Sequence, residues 1–166
     1  MARKATGAQI DLAYVAETTW GTTPTTPTMK QLRAISESIE LKKGQLTSAE
    51  FQSHRQIQSI IHGSHSVEGS IECEYGAFLD DWLEAAMYGT FSSNVLKLGQ
   101  TLHQFSLERR LLSIGQAQRY TGVRPSGFTL SLVPNEIAKI TFPVQGKTMT
   151  LATDGLGSPT GWLINE

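Results

Sequence analysis

The residues that could carry chemistry are few and widely spaced. Of the four histidines (His54, His62, His65 and His103), His62 and His65 stand three apart, but no cysteine or carboxylate pattern beside them predicts a zinc site. Cys73 is the single cysteine, and it lies on the apolar side of a predicted strand, where a buried thiol is inert. No nucleophile elbow and no glycine-rich phosphate loop occurs. We therefore predict no catalytic residue, no metal site, no cofactor and no enzymatic activity.

Length and composition predict one weakly charged domain. The 166 residues suit a single domain over 1–166, and 14 Lys+Arg against 15 Asp+Glu leave a net charge of −1, which lowers the repulsion between copies. This balance is not that of a protein that grips phosphates, although a basic patch around Tyr120 stays open as an alternative. No apolar run approaches the roughly 18–20 residues of a membrane span, so no membrane insertion is expected. The basic patch would comprise Arg109, Arg110, Arg119 and Arg124.

Period-two patterns predict a mainly β fold. A hairpin over 128–144 turns at Pro134-Asn135-Glu136, and Pro143 predicts that its second strand ends there or lies at a sheet edge. The other strands are expected at 9–17, 29–41 (with a bend near Ser36), 66–75, 95–98, 102–109 and 116–123.

One segment changes to helical spacing. Apolar residues from Phe78 to Met87 recur three and four apart, and Asp80 and Asp81 fall in the early turns. Gly89 is expected to end the helix in the left-handed conformation. We predict a mainly β protein with one α-helix, at about 77–88, packed on the sheet.

Two segments attract functional interest. Glu68, Glu72 and Glu74 share one face of their strand and must meet solvent, either as an ordinary sheet face or as the acidic lining of a cavity shared in an oligomer. Residues 42–66 hold few large apolar side chains and are predicted to form a long loop. Since structureless loops beyond about 12–15 residues are usually functional or disordered, this segment is the first place to seek function.

Three stretches, in order, carry a family pattern. The first is Glu17-Thr18-Thr19-Trp20-Gly21-Thr22-Thr23-Pro24 after a strand, and the third is the series of strands from Phe105 through the 128–144 hairpin. The second comprises Ser53-His54-Arg55-Gln56-Ile57, His62-Gly63, Val67-Glu68-Gly69-Ser70-Ile71 and Tyr75-Gly76-Ala77-Phe78-Leu79-Asp80-Asp81-Trp82-Leu83-Glu84-Ala85-Ala86. Over about residues 9–147 the chain resembles the tail tube (major tail) proteins of long-tailed bacteriophages.

The resemblance implies a β-sandwich or barrel-like tail tube fold. It implies hexameric rings of this chain that stack into a virion tail tube around a tape-measure protein, after assembly in the host cytoplasm. Tail terminator and baseplate proteins are further implied partners, and DNA passes through without specific binding because an acidic wall offers phosphates no contacts.

Site residues follow from this resemblance as expectations. Glu68, Glu72 and Glu74 would line the lumen. Arg55 is the foremost contact candidate, since a guanidinium can bind a carboxylate bidentately. The expected residues for ring stacking or subunit contact are Glu50, Phe51, His54, Arg55, Gln56 and His62.

Other interpretations remain open. Many relatives continue beyond this length, so residues 150–166 are expected to form an irregular tail or a truncated end. Within the same class, the chain could be another ring-forming tail component (a terminator or a baseplate hub) or a secretion-tube-like protein. From a different class, a carbohydrate-binding β-sandwich module and a hydrolase are the alternatives.

Overall fold

The structure, a computed structural model, describes residues 10–47 and 60–152. These residues form ten strands and one α-helix, which is preceded by a single 3-10 turn at Ala77–Leu79, and the mainly β prediction is confirmed. In chain order the elements are β1 (Ile10–Ala16), β2 (Lys30–Gln31), β3 (Ala34–Glu37), β4 (Glu40–Thr47), β5 (Ile60–Glu74), α1 (Asp80–Met87), β6 (Phe105–Leu111), β7 (Gln116–Pro125), β8 (Thr129–Ser131), β9 (Lys139–Gly146) and β10 (Thr148–Ala152).

The strands form one antiparallel sheet that curls into a half-barrel, in agreement with the predicted barrel-like fold. The main path is β2-β1-β6-β7-β9-β5-β3, with β10 beside β7, β4 beside β5 and β8 beside β9. β7 pairs with β6 and β10 along most of its length and with β9 at Arg124 and Pro125. It changes partner at Gly122, whose φ of 67° is open to glycine at no steric cost.

Inward-facing residues of both halves of the sheet fill the interior, and α1 packs against them. Trp82 of α1 is fully buried. Its ring stacks on Phe105 at 5.0 Å between centroids and meets the edge of Tyr14 at 5.6 Å. Such aromatic pairs contribute about 0.5–1.5 kcal/mol each beyond their buried area. The helix predicted at about 77–88 is confirmed, with the 3-10 turn as its first part. The apolar face of α1 packs on the sheet, as predicted.

The end of the helix differs from the prediction. Tyr88, not Gly89, adopts the left-handed conformation, with φ of 53°. Gly89 is needed for another reason: a Cβ there would lie 2.1 Å from the carbonyl oxygen of Lys97. The glycine therefore allows a close approach of two backbone segments after the helix.

The long loop predicted over 42–66 is wrong where the structure describes it. Residues 42–47 and 60–66 belong to β4 and β5, which pair from Glu40↔Glu68 to Thr47↔Ile60. This ribbon is exposed on both faces, so its sequence lacks the apolar alternation that marks a half-buried strand. Residues 48–59 lie outside the described part of the chain.

Two further strand predictions need correction. Residues 95–98 and 102–104 are not strands, and only an isolated bridge between Ser92 and Val95 occurs there. At the other end, 150–152 belong to β10 instead of an irregular tail, and 153–166 lie outside the described residues. The predicted 29–41 strand is divided among β2, β3 and the start of β4.

Pro143 neither ends its strand nor marks a sheet edge. β9 continues to Gly146 between β5 on one side and β7 and β8 on the other. The proline lies opposite the gap between the end of β7 and the start of β8, and its carbonyl oxygen accepts a hydrogen bond from the Ser126 N–H at 2.9 Å. No strand there requires the N–H that proline lacks.

Candidate assembly surfaces

The three predicted glutamates share the face of β5 that points away from the core. Glu68, Glu72 and Glu74 are all half-buried. Lys42 Nζ lies 2.9 Å from Glu68 Oε2, and Lys139 Nζ lies 3.8 Å from Glu72 Oε1. We call this surface, formed by the outward residues of β4, β5 and β9, the glutamate face.

The glutamate face is acidic, but its charge is partly balanced. Glu40 stands directly opposite Glu68, an arrangement that repels unless a cation intervenes. The hydrogen bond from Lys42, then the charge of Lys42 and a hydrogen bond from Ser66, hold the pKa of Glu68 below its usual value. Across β4, β5 and β9 this face carries four carboxylates (Glu40, Glu68, Glu72, Glu74) and two lysines (Lys42, Lys139), a difference of −2.

The outer halves of β4 and β5 extend past the core as a two-stranded arm, here residues 43–47 and 60–65. Leu46 and Ile61 pair across it, and each is 62% exposed. His62, one of the predicted contact residues, is exposed opposite Gln45 on the same arm. An isolated two-stranded ribbon is marginal in water, so the arm has the character of a segment that gains stability from a partner.

A buried carboxylate, that of Glu17, organises the turn after β1, and no role was predicted for it. Glu17 accepts hydrogen bonds from the Gly21 N–H at 2.6 Å, the Ser106 hydroxyl at 2.6 Å and the Gly122 N–H at 2.9 Å. The 17–24 turn is thereby fixed where β7 changes partner. The Glu17-to-Pro24 pattern indicated a turn, but the Ser106 and Gly122 partners of Glu17 are about 90 and 105 residues away in sequence.

Trp20 forms the exposed part of the same corner. Its indole N–H donates to the Gly122 carbonyl at 3.2 Å. The Arg124 guanidinium and the Lys147 ammonium lie 5.7 and 5.0 Å from the Trp20 ring centroid. Both distances are within the range of cation–π attraction, so the cations hold the ring in place.

Three of the four arginines in the basic patch considered from the sequence form ion pairs with carboxylates of the same chain. Arg109 binds Glu37, Arg110 binds Asp11, and Arg119 lies 3.3 Å from Glu108. The fourth member, Arg124, donates to the Gln104 side chain and packs on Trp20. The patch therefore does not present a row of free cations to phosphates.

Reactive groups do not converge in the described structure. Cys73 is fully buried, and burial, with a smaller contribution from the Glu72 charge, raises its pKa to about 12. His103 Nε2 lies 2.8 Å from the Gly89 carbonyl oxygen, whereas His62 and His65 lie on the arm. Among residues 10–47 and 60–152, no three His, Cys, Asp or Glu side chains come together as a metal site.

No helix within the described ranges is long and apolar enough to cross a membrane.

The remaining predicted contact residues fall between 48 and 59, outside the described residues, and stay predictions: Glu50, Phe51, His54, Arg55 and Gln56.

Comparison with known proteins gives one family. The model of the family described as phage tail tube protein matches residues 7–162. No curated protein sequence matches the chain.

Solved structures resemble the chain at low sequence identity. The SPP1 tail tube matches with a TM-score of 0.59 and 12% identity, over 89% of this chain and 78% of that one. The tube-terminating cap of the anti-feeding prophage matches with a TM-score of 0.56 and 10% identity, over 92% and 93% of the two chains. A chain of the native gene transfer agent virion matches with a TM-score of 0.52 and 11% identity, over 90% and 99%. At these identities the likeness is one of fold.

Proposed function

The chain belongs to the phage tail tube protein family and is a structural component of the virion tail, and on that premise we propose that six copies close a ring and that rings stack into the tube. A ring needs a head-to-tail contact between two different surfaces of each copy, and repeated stacking of such rings gives an open-ended filament. The near-neutral charge of −1 opposes neither contact.

The observation that carries this proposal is the exposed arm. Its two apolar side chains, Leu46 and Ile61, are exposed to solvent in the single chain. Each side chain is 62% exposed, so full burial against a neighbouring copy would contribute about 1–2 kcal/mol per side chain. The arm, with the predicted contact residues between its strands, is therefore assigned to ring stacking or subunit contact.

The glutamate face is assigned to the lumen. Each copy adds an excess of two carboxylates on β4, β5 and β9, and a ring repeats that excess around its bore. A like-charged wall keeps phosphates from making several contacts at once, so DNA passes without specific binding. Glu68, Glu72 and Glu74 are the lumen-lining residues of this proposal.

The position of a tube within a phage tail indicates which proteins the tube would contact. A tape-measure protein would occupy the bore during assembly in the host cytoplasm, and terminator and baseplate proteins would contact the two ends. The arrangement requires no chemistry of the chain itself, and we propose no catalytic role.

Electron microscopy of the purified chain over a concentration series tests the proposal. We expect six-fold rings and filaments with a central channel, at an abundance that rises with concentration. A chain that stays monomeric at every concentration and salt would contradict it. A reconstruction in which Glu68, Glu72 and Glu74 face outward would contradict the lumen assignment alone.

A terminating cap is the second candidate, because the likeness to the anti-feeding prophage cap (TM-score 0.56) nearly equals that to the SPP1 tail tube (0.59). A cap closes rings but stops their stacking. Discrete rings without filaments would therefore favour a terminator, and continuous filaments a tube.

A further inference from the structure

The arm contains a β-bulge, and the bulge lies in β5. From one cross-strand pair to the next, β4 advances by two residues (43–45) while β5 advances by three (62–65). Gly44 therefore stands opposite two residues of β5, Gly63 and Ser64. A Cβ on Gly44 would lie 3.2 Å from the Ser64 carbonyl oxygen. A residue without a side chain at this position lets β4 approach the bulged backbone closely.

The bulge brings the two exposed apolar residues of the arm onto one side of the ribbon. Side chains alternate along a strand, and residues directly opposite each other in an antiparallel pair share a side. With the bulge, Ile61 stands opposite Leu46. Unbroken pairing from Lys43↔His65 onward would instead place His62 opposite Leu46 and turn Ile61 to the other side. The extra residue of β5 therefore creates the apolar pair.

The apolar pair lies on the side of the ribbon that continues the glutamate face. Lys42 of β4 belongs to this face because it binds Glu68, and Leu46 follows Lys42 by four residues of the alternating strand. A Cβ on Gly63 would lie 3.4 Å from Leu46 Cγ, so Gly63 is on the same side and leaves room for the leucine. Among residues 43–46 and 61–65, the other side of the arm carries exposed polar side chains: Lys43, Gln45, His62 and His65.

We propose that the arm docks on a second copy of the chain by its apolar side alone, and that the bulge at Gly63 and Ser64 sets which side that is. The inference rests on the proposed function, to which it adds the contacting side of the arm and the residues that position it. A second copy fits because the neighbours of a tube component are copies of itself, and this chain exposes further apolar side chains that Leu46 and Ile61 could cover. Among the most exposed are Leu98 (77%), Leu132 (68%) and Ile137 (64%).

Two double variants of the full chain, each with unchanged composition, test which side of the arm docks. Ile61→His with His62→Ile moves the isoleucine to the polar side, whereas Leu46→Ile with Ile61→Leu exchanges the two apolar side chains on their own side. We expect the concentration needed for assembly to rise at least about tenfold for the first and to change less than about threefold for the second, because only the first takes an apolar side chain out of the contact. Urea unfolding of dilute protein should give midpoints within about 0.5 M of the unmodified chain, since the arm lies beyond the core.

Two changes of length test the role of the bulge. Deletion of Ser64 removes the extra residue and leaves Ile61 opposite Leu46 on the side of the glutamate face. Insertion of one glycine after Gly44 also restores regular pairing, but it turns the apolar pair to the other side of the arm. We expect the assembly threshold to rise at least about tenfold for the insertion and less than about threefold for the deletion.

The outcomes separate this inference from the tube function. If the isoleucine–histidine exchange assembles at the threshold of the unmodified chain, or if the deletion and the insertion have equal effects, the inference is overturned and the tube function stands. If the unmodified chain never assembles, both fall. If a variant unfolds, a reconstruction of the unmodified assembly decides: another copy must cover Leu46 and Ile61 together, and coverage of the polar side of the arm overturns the inference.

Discussion

Arg109 of β6 and Glu37 of β3 form an ion pair that spans the interior of the half-barrel. The two side chains are 20% and 13% exposed. The second carboxylate oxygen of Glu37 accepts the Ile39 N–H at 3.0 Å, and the Tyr120 hydroxyl donates to the Ile39 carbonyl at 3.1 Å. The contact joins strands that are far apart in the sheet order, so it fixes how tightly the sheet curls.

Removal of either partner of this ion pair should destabilise the monomer. Arg109→Met or Glu37→Gln leaves the other group mostly buried with less compensation, and we expect a loss of roughly 2–4 kcal/mol in the free energy of unfolding. The double variant should lose less than the sum of the two, because no uncompensated charge remains. Urea denaturation of dilute protein measures all three. Strict additivity would show that the two side chains do not interact.

Gly122 and Gly115 form a matched pair for testing the Trp20 corner. Both have positive φ, 67° and 64°. A Cβ at Gly122 would lie 2.6 Å from Trp20 Nε1, whereas a Cβ at Gly115 meets nothing within 4 Å. Gly115→Ala should therefore cost about 1 kcal/mol, for the backbone alone, and Gly122→Ala at least twice as much, as it also displaces the indole. Thermal unfolding gives the order, and equal losses would contradict the close contact.

The spacing of apolar residues in the sequence predicted those strands and the helix that bury one face within the chain. The β5 alternation from Val67 to Glu74 and the helical spacing around Trp82 each have a buried face, so the period of the apolar residues shows in the sequence. The arm has no buried face within one chain, and its strands therefore looked like a loop. The Glu37–Arg109 pair and the Glu17–Gly122 hydrogen bond join residues 72 and 105 positions apart, and no local sequence pattern indicates contacts over such separations.

The Lys42–Glu68 pair should appear in the titration of the glutamate face. The pKa of Glu68 is below its usual value, mainly because Lys42 donates to it. The pair therefore adds stability at pH values above the ordinary glutamate pKa and loses it as pH falls through the lowered one. Lys42→Ala should move the Glu68 pKa upward in an NMR titration. Lys43→Ala, on the opposite face of β4, should leave the Glu68 pKa unchanged. If the two substitutions raised the Glu68 pKa equally, the cause would be the summed charge of the surrounding protein and not the hydrogen bond from Lys42.

Cys73 should be unreactive in the folded chain. Its thiol is fully buried, with a pKa raised from 9.0 to about 12, and only the thiolate attacks disulfide reagents. At pH 8 we expect reaction with Ellman's reagent only at the rate of unfolding. As pH rises through 9, the thiol ionises in the unfolded chain but not in the folded chain. Ionisation of Cys73 therefore lowers the free energy of unfolding above that pH. Ser70→Cys on the outer face of β5 is the control, and it should react at once.

The arm offers a test that separates assembly from folding. Leu46 and Ile61 are each 62% exposed and lie beyond the core, so replacing either with serine should change the unfolding free energy of the monomer by less than about 0.5 kcal/mol. In an assembly that buries the pair, each serine would forfeit about 1–2 kcal/mol of apolar burial for every contact, because about three-fifths of each side chain remains to be buried. The assembly threshold should therefore rise by at least about tenfold, as followed by light scattering and microscopy. Leu112→Ser is the matched control, since Leu112 is similarly exposed, at 56%, in the turn after β6. If all three variants assemble at the same threshold as the unmodified chain, the arm is not a contact, and subunit contacts must lie elsewhere. If only the arm variants fail, the exposed pair is the surface that a neighbouring copy covers.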